Sequence, residues 1–131
     1  MFDMQIEHIA LWTRDLEGVR DFYMKYFKMK SSEKYVNPDK GFSSYFLSFN
    51  RGARIEIMNR KDMENEIGFH RATYGLAHFA ISVGSKEKVD RLTEVIRNDG
   101  FEVIGEPRTT GDGFYESVVS DPEGNHVEIT E

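Results

Sequence analysis

Hydrophobic and polar residues alternate with two different periods along the first half of the chain. A short apolar run from Met4 to Leu11 predicts a strand. After Asp15, which can cap a helix, the apolar residues fall at helical spacing. Two strand patterns, Phe42 to Phe49 and Ala53 to Met58, flank a compact turn and predict a hairpin. The order is therefore strand, helix, strand, strand, with room near Met29 to Tyr35 for one more strand.

A polar segment separates this half from a second series of elements. Leu76 to Val83 is strand-like, and Ser85 can cap a helix that Gly100 ends. Three more strands are predicted at Phe101 to Ile104, Phe114 to Ser120 and His126 to Thr130. The second half reads strand, helix, strand, strand, strand.

The two halves correspond at a nearly constant offset, as a duplicated module requires. His8-Ile9-Ala10 matches His78-Phe79-Ala80, and residues 8 and 78 are 70 positions apart. Arg54-Ile55-Glu56-Ile57 matches His126-Val127-Glu128-Ile129, where residues 54 and 126 are 72 positions apart. We therefore predict an α+β domain of two βαβββ modules in tandem. Module one covers about 4–59, a connector covers 60–74, and module two covers about 75–131.

Strand alternation gives each matched residue a direction. His8 and His78 lie on corresponding faces of the leading strands, as Glu56 and Glu128 do on the closing strands. If the modules pair about a pseudo-twofold axis, these side chains converge. Two imidazoles and two carboxylates suit a divalent ion such as zinc, nickel, cobalt, manganese or iron. The competing interpretation is that each is an ordinary structural or solvated strand residue.

Composition and charge narrow the remaining chemistry. The 131 residues amount to one domain and contain no cysteine, which excludes disulfides, thiolate nucleophiles and sulfur-ligated zinc. With 17 basic and 23 acidic residues, the net charge of −6 offers no field for nucleic acid. No apolar run is long enough for a membrane span, and no targeting segment opens the chain. We expect a cytoplasmic protein without a membrane or nucleic-acid partner.

Several motifs together make the sequence recognisable over nearly its whole length. They are His8-Ile-Ala, Asp15-Leu16 leading into a helix that ends at Phe27, Arg54-Ile-Glu56-Ile, His78-Phe-Ala and the closing Asp121-Pro-Glu-Gly-Asn-His-Val-Glu128. In these the chain resembles the vicinal oxygen chelate superfamily, which groups glyoxalases, bleomycin-resistance proteins and extradiol dioxygenases. The resemblance implies paired modules that form a cup-shaped, mostly antiparallel mixed sheet around a metal, with the helices on the outer face.

Within that superfamily the match is closest to glyoxalase I-like, or lactoylglutathione lyase-like, proteins. Their ligands are His or Gln, Glu, His and Glu, and His8, Glu56, His78 and Glu128 occupy those places. The resemblance implies a lyase or isomerase that moves a proton through a metal-bound enediolate on a thiol hemithioacetal or a similar vicinal-oxygen substrate. Zinc or nickel is favoured, with cobalt, manganese and iron as alternatives. Glu56 and Glu128 are both candidates for the base, and oxygen chemistry ranks low.

The substrate pattern departs from glutathione-using glyoxalase I. Those enzymes have an arginine four residues after the first ligand and an asparagine four residues after the first glutamate, where this chain has Trp12 and Arg60. Glutathione is therefore disfavoured. Trp12, Arg54, Arg60 and His126 are the candidates for substrate contact.

The resemblance also implies a homodimer with its sites at the interface. Two other functions stay open: a CoA-thioester epimerase and a non-catalytic protein that sequesters an antibiotic, as bleomycin-resistance members do. Whether the segment 59–74 closes over the site as a lid is left open too.

Overall fold

The computed structural model describes residues 4–63 and 74–131. The chain divides into two compact units, Met1–Glu66 and Ile67–Glu131. Most of the predicted connector, and with it most of the segment considered as a lid, lies outside the described residues. No helix among the described residues has the length and apolar content of a membrane span.

The first unit is a mixed sheet with one helix. Its elements are β1 (His8–Trp12), α1 (Leu16–Phe27), β2 (Lys30–Ser31), β3 (Tyr35–Asn37), β4 (Phe42–Ser48) and β5 (Arg54–Arg60). The sheet order is β1-β5-β4-β2, and β3 also pairs with β4. Strand β1 runs parallel to β5, whereas β2, β3 and β5 are antiparallel to β4. The closing strand of the module therefore lies beside its first strand.

The second unit repeats this topology. Its elements are β6 (Phe79–Ser82), α2 (Lys86–Asn98), β7 (Val103–Thr109), β8 (Tyr115–Ser120) and β9 (His126–Thr130). The order is β6-β9-β8-β7, with β6 parallel to β9 and the other pairs antiparallel. The α+β fold class with two similar modules is confirmed, and both sheets are open.

Helix capping and burial follow the predicted patterns. The Asp15 side chain accepts a hydrogen bond from the Gly18 amide at 3.0 Å, and Ser85 accepts one from the Lys88 amide at 3.2 Å. The chain leaves α2 through Gly100, whose φ of 97° is a conformation that glycine adopts without strain. One face of each sheet is buried beside the apolar stripe of its helix. The core includes Val19, Tyr23, Leu47, Ile55 and Ile57 in the first unit and Val89, Ile96, Val119, Val127 and Ile129 in the second.

Several boundaries differ from those predicted. Strand β1 begins at His8 rather than Met4. Met4 and Ile6 are 95% and 69% exposed, and neither pairs with a strand among the described residues. Strand β5 continues to Arg60, where it still pairs with Phe42 of β4. The space left for one strand holds two short ones, β2 and β3. In each case the limits of the strand depend on whether a strand distant in sequence lies beside it to pair with.

Candidate metal centre

A histidine and a glutamate come together in the first unit through the register of its parallel strands. His8 is aligned with Arg54, and Ala10 is aligned with Glu56. The imidazole and the Glu56 carboxylate therefore lie on the same face of the sheet, and their aligned positions are two residues apart along the strands. Because Ala10 has only a methyl group, the longer Glu56 side chain has room to lean toward the histidine. The distance between His8 Nε2 and Glu56 Oε1 is 3.6 Å.

The second unit builds the same pair from equivalent positions. His78 directly precedes β6, in which Ala80 is aligned with Glu128. The distance between His78 Nε2 and Glu128 Oε2 is 3.1 Å. In both units the glutamate is the less exposed partner, with its side chain 19% exposed for Glu56 and 21% for Glu128. Duplication has thus placed one nitrogen and one oxygen donor side by side twice.

The donor spacing in each pair fits coordination of a shared ion. Divalent metals bind imidazole nitrogen and carboxylate oxygen at about 2.0–2.2 Å, so two neighbouring donors lie roughly 2.8–3.1 Å apart in octahedral geometry and roughly 3.3–3.6 Å apart in tetrahedral geometry. The separations of 3.1 Å in the second unit and 3.6 Å in the first unit lie at the upper ends of these two ranges. Among residues 4–63 and 74–131, no set of three or more His, Cys, Asp or Glu side chains surrounds a common point. Each unit by itself therefore brings two candidate donors together.

A third carboxyl lies beside the pair in the second unit. Glu116 of β8 is 8% exposed and shares the sheet face of Glu128, because Glu116 is aligned with Thr130. A hydrogen bond with Glu128, together with burial and the negative charge of that neighbour, raises the pKa of Glu116. The equivalent position in the first unit is Ser44, which is aligned with Met58. The two His–Glu pairs thus differ in their acidic surroundings. Sequence reasoning missed Glu116, although an acid on that face of the predicted strand was the available signal.

Arg54 is already engaged within the first unit. Its guanidinium forms two bonds to the Glu7 carboxylate, Nε to Oε2 at 3.0 Å and Nη2 to Oε1 at 2.8 Å. The same carboxylate accepts a hydrogen bond from His8 Nδ1, with Nδ1 and Oε1 2.8 Å apart. Hydrogen bonds from Arg54 and then His8 lower the pKa of Glu7 to about 2. Glu7 was not among the predicted site residues, because strand alternation would have pointed it away from His8.

The other candidates for substrate contact have distinct surroundings. Arg60 is paired with Asp62 through two bonds of 2.8 and 2.7 Å, and its guanidinium lies 5.5 Å from the centre of the Trp12 ring. Trp12 also meets Phe42 edge to face at 6.4 Å. His126 lies on the Glu128 side of β9, opposite Ser120. Their roles stay predictions.

A turn held by Asp121 leads into the strand that carries Glu128. Asp121 is 3% exposed, and its Oδ1 accepts the amides of Glu123 and Asn125, each at 2.9 Å. Its Oδ2 accepts the Asn125 side-chain amide, also at 2.9 Å. This turn is the start of the most specific motif in the sequence, so the motif has a structural role as well as a candidate ligand.

A cavity of about 270 Å³ in the first unit is separate from the His8 pair. Its lining includes Lys34, Asn37, Ser43, Asn59 and Lys61. Neither His8 nor Glu56 lines it. Asn59 and Ser43 lie on the sheet face opposite Glu56, which places part of this cavity on the helix side.

The repeated pair and its topology agree with comparisons to known proteins. The sequence model of the Glyoxalase/Bleomycin resistance protein/Dioxygenase superfamily matches residues 5–129. The chain belongs to this superfamily. A relative in Bacillus subtilis (strain 168), the uncharacterized protein YqjT, is 31% identical over 127 residues, covering 95% of this chain and 96% of the relative. The superfamily includes both enzymes and resistance proteins, so membership leaves the specific activity undecided.

Solved structures agree in fold. Glyoxalase I from Zea mays matches with a TM-score of 0.79 and 25% identity over 96% of this chain, which spans 44% of the maize chain. The trypanothione-dependent glyoxalase I of Leishmania major matches with a TM-score of 0.78 and 20% identity, covering 98% of this chain and 87% of that one. A superfamily domain from Frankia sp. EAN1pec matches with a TM-score of 0.81 and 18% identity, covering 98% and 92%. The latter two matches support the fold alone.

Proposed function

We propose that this protein is a metal-dependent lyase of the glyoxalase I type that binds one divalent ion through His8, Glu56, His78 and Glu128. The observation that carries the proposal is the repeated His–Glu pair, with donor atoms 3.6 and 3.1 Å apart at equivalent positions of two modules. Unrelated surface residues have no reason to recur in this way. The donor set of two imidazoles and two carboxylates favours zinc or nickel, and also accepts cobalt, manganese or iron.

The chemistry follows from what these side chains can do. The ion that these residues would hold would supply Lewis-acid stabilisation of the negative charge that develops on substrate oxygens when an adjacent C–H bond is broken. Glu56 or Glu128 takes the proton from one carbon and returns it to its neighbour as a general base and then a general acid. Their low exposure limits competing water at the carboxylate. Glu116 gives Glu128 an acidic neighbour at the position where the first unit has Ser44, so the two carboxylates are not equivalent.

The site needs both pairs, because two ligands seldom hold a catalytic ion. Both pairs come either from one chain or from two chains of a homodimer, and we propose the dimer. Molar mass measured by light scattering on the eluting protein tests this. A monomer at micromolar concentration that still binds the metal would contradict the shared arrangement.

The substrate is proposed to be a hemithioacetal or a similar vicinal-oxygen compound, with a thiol other than glutathione. Glutathione carries two carboxylates, whereas the guanidinium groups of Arg54 and Arg60 are each bound to a carboxylate of this chain. A substrate carboxylate would have to displace Glu7 or Asp62. Trp12 instead presents an aromatic surface 42% exposed.

Two measurements test the proposal together. Titration calorimetry of chelator-treated protein with zinc, nickel, cobalt and manganese should show binding. Glu56→Gln and Glu128→Gln should each weaken that binding at least tenfold. Glu102→Gln, which changes an exposed glutamate outside both pairs, is the matched control and should bind as the unaltered protein does.

A panel of methylglyoxal hemithioacetals formed with different thiols then tests turnover by the metal-loaded protein. Loss of turnover in the two pair variants, with turnover retained in the control, supports the proposal. No metal binding, or equal activity in all variants, would refute it. Turnover of a CoA thioester, or metal-independent binding of a cationic glycopeptide, would replace it with one of the two alternative functions.

A further inference from the structure

We infer that Glu7 is a positioning residue that holds His8 as the Nδ1–H tautomer, so that the Nε2 lone pair faces the Glu56 side, and that Arg54 holds Glu7 in place. The ligand role of His8 rests on the proposed function. The inference adds a chain of contacts that runs from Arg54 to Glu7 to His8 Nδ1. The other ring nitrogen, Nε2, then lies on the Glu56 side as the candidate metal donor.

The first step is the choice of proton position on the imidazole. Nδ1 of His8 lies 2.8 Å from Glu7 Oε1, which is hydrogen-bond distance, whereas Nε2 lies 3.6 Å from Glu56 Oε1, which is too long. A carboxylate can only accept from a neutral imidazole, so the proton belongs on Nδ1. Histidine ligands of metals commonly have their second nitrogen bound to a carboxylate, which fixes the tautomer and the ring orientation.

The second step is what fixes the carboxylate, since Glu7 is 62% exposed and would otherwise rotate. Arg54 binds both of its oxygens, and the Arg54 amide donates to the Glu7 carbonyl at 2.9 Å. The Arg54 guanidinium lies 4.0 Å from the centre of the Phe46 ring, and the edge-to-face contact of Phe46 with His8 has a centroid distance of 5.3 Å. One aromatic ring therefore supports both ends of the chain of contacts.

The second unit supplies an internal comparison. The positions equivalent to Glu7, Arg54 and Phe46 are Ala77, His126 and Val118. The methyl side chain of alanine cannot accept a hydrogen bond, so no side chain at residue 77 can orient His78 in this way. The device belongs to one half of the duplicated site, and His78 serves as a control within the same molecule.

The experiment reads the tautomer directly. Nitrogen-15 chemical shifts of the histidine rings are recorded on metal-free protein at about pH 8.5, roughly two units above the ordinary histidine pKa. We expect His8 to be predominantly the Nδ1–H form in the unaltered protein. Glu7→Ala should shift it toward the Nε2–H form, and Glu7→Gln, which keeps an acceptor oxygen, should shift it less. His78 should not change in either variant.

Metal titration of the same proteins gives the second readout. Removing such a carboxylate partner typically weakens metal binding about 10- to 100-fold. We expect a loss of that size for Glu7→Ala, a smaller loss for Glu7→Gln, and none for the control Glu33→Ala, which alters another exposed acid of the first unit. Arg54→Ala should fall between the Glu7 variants and the unaltered protein.

The outcomes separate this inference from the proposed function. Unchanged His8 shifts in Glu7→Ala would overturn the inference, as would unchanged affinity in a protein that binds metal. If the unaltered protein binds no metal, the proposed function fails, while the tautomer comparison still decides the role of Glu7. If Glu7→Ala loses its native circular dichroism, the comparison is made between Glu7→Gln and the unaltered protein, because glutamine keeps the volume of the side chain.

Discussion

The Asp121 turn offers the sharpest test of how the structure supports the site. Asp121 is 3% exposed and accepts three hydrogen bonds of 2.9 Å, from the Glu123 amide and from the amide and side chain of Asn125. Asp121→Ala removes all three and leaves the Glu123 amide without its acceptor. This should loosen the turn that leads into β9 and Glu128.

The magnitude follows from the kind of bond. Hydrogen bonds to charged groups contribute about 1.5–3 kcal/mol each, and an unsatisfied buried donor costs about 1–3 kcal/mol. Because bonds within one turn are not additive, we expect a loss of about 3–5 kcal/mol for Asp121→Ala. Asp121→Asn keeps one acceptor oxygen for the two backbone amides, and the Asn125 amide can flip to meet the new NH₂ group. We expect that variant to lose about 1–2 kcal/mol.

The assay is urea denaturation of metal-free protein, followed by circular dichroism and by fluorescence. The chain has a single tryptophan, Trp12, so fluorescence reports on the first unit, whereas circular dichroism reports on both. Coincident transitions would license a two-state analysis. Asp39→Ala, at an exposed position in the single 3₁₀ turn Pro38–Lys40, should change stability by less than about 0.5 kcal/mol. A loss of under about 1 kcal/mol in Asp121→Ala, or equal losses in both Asp121 variants, would refute the reasoning.

Three further changes test other parts of the structure. Thr93 donates to the Val89 carbonyl at 2.6 Å and accepts from the fully buried Ser117 hydroxyl at 2.7 Å. Thr93→Val should therefore lower the free energy of unfolding in urea by about 1–3 kcal/mol, and adding Ser117→Ala should restore most of that loss. A double variant that is no more stable than Thr93→Val would contradict the pairing of the two hydroxyls. The raised pKa of Glu116 makes its stabilising contribution complete below about pH 4.5 and lost as the pH rises through the folded-state value. The stability of metal-free Glu116→Gln relative to the unaltered protein should thus increase as the pH rises from 4 to 7. A stability difference that does not change with pH would contradict this prediction. Lys28 has a φ of 58°, so Lys28→Gly should raise the free energy of unfolding by about 0.5–1 kcal/mol and with it the melting temperature. A decrease would show that the contacts of the Lys28 side chain stabilise the protein by more than its backbone conformation costs.

Local sequence determined much of the fold. Helix caps at Asp15 and Ser85 and the strand His126–Thr130 were predictable, since capping and alternation depend on residues close in the chain. The internal duplication extended these predictions to residues that are far apart in the sequence. It placed His8 and His78, and likewise Glu56 and Glu128, on corresponding faces of the two modules. In the structure the histidine and the glutamate of each module lie close together. The meeting of both pairs on one ion stays a prediction.

Tertiary structure decided what depends on register between distant strands. The two short strands β2 and β3 exist because β4 offers both of them hydrogen bonds, not because their own sequences are strongly strand-like. Glu7 and Arg54 are 47 residues apart, and only the parallel alignment of β1 with β5 brings their charges together. Antiparallel pairing likewise sets Glu116 beside Glu128. Periodicity along one segment shows which face a side chain takes, but the neighbour it meets there is chosen by the packing of another segment.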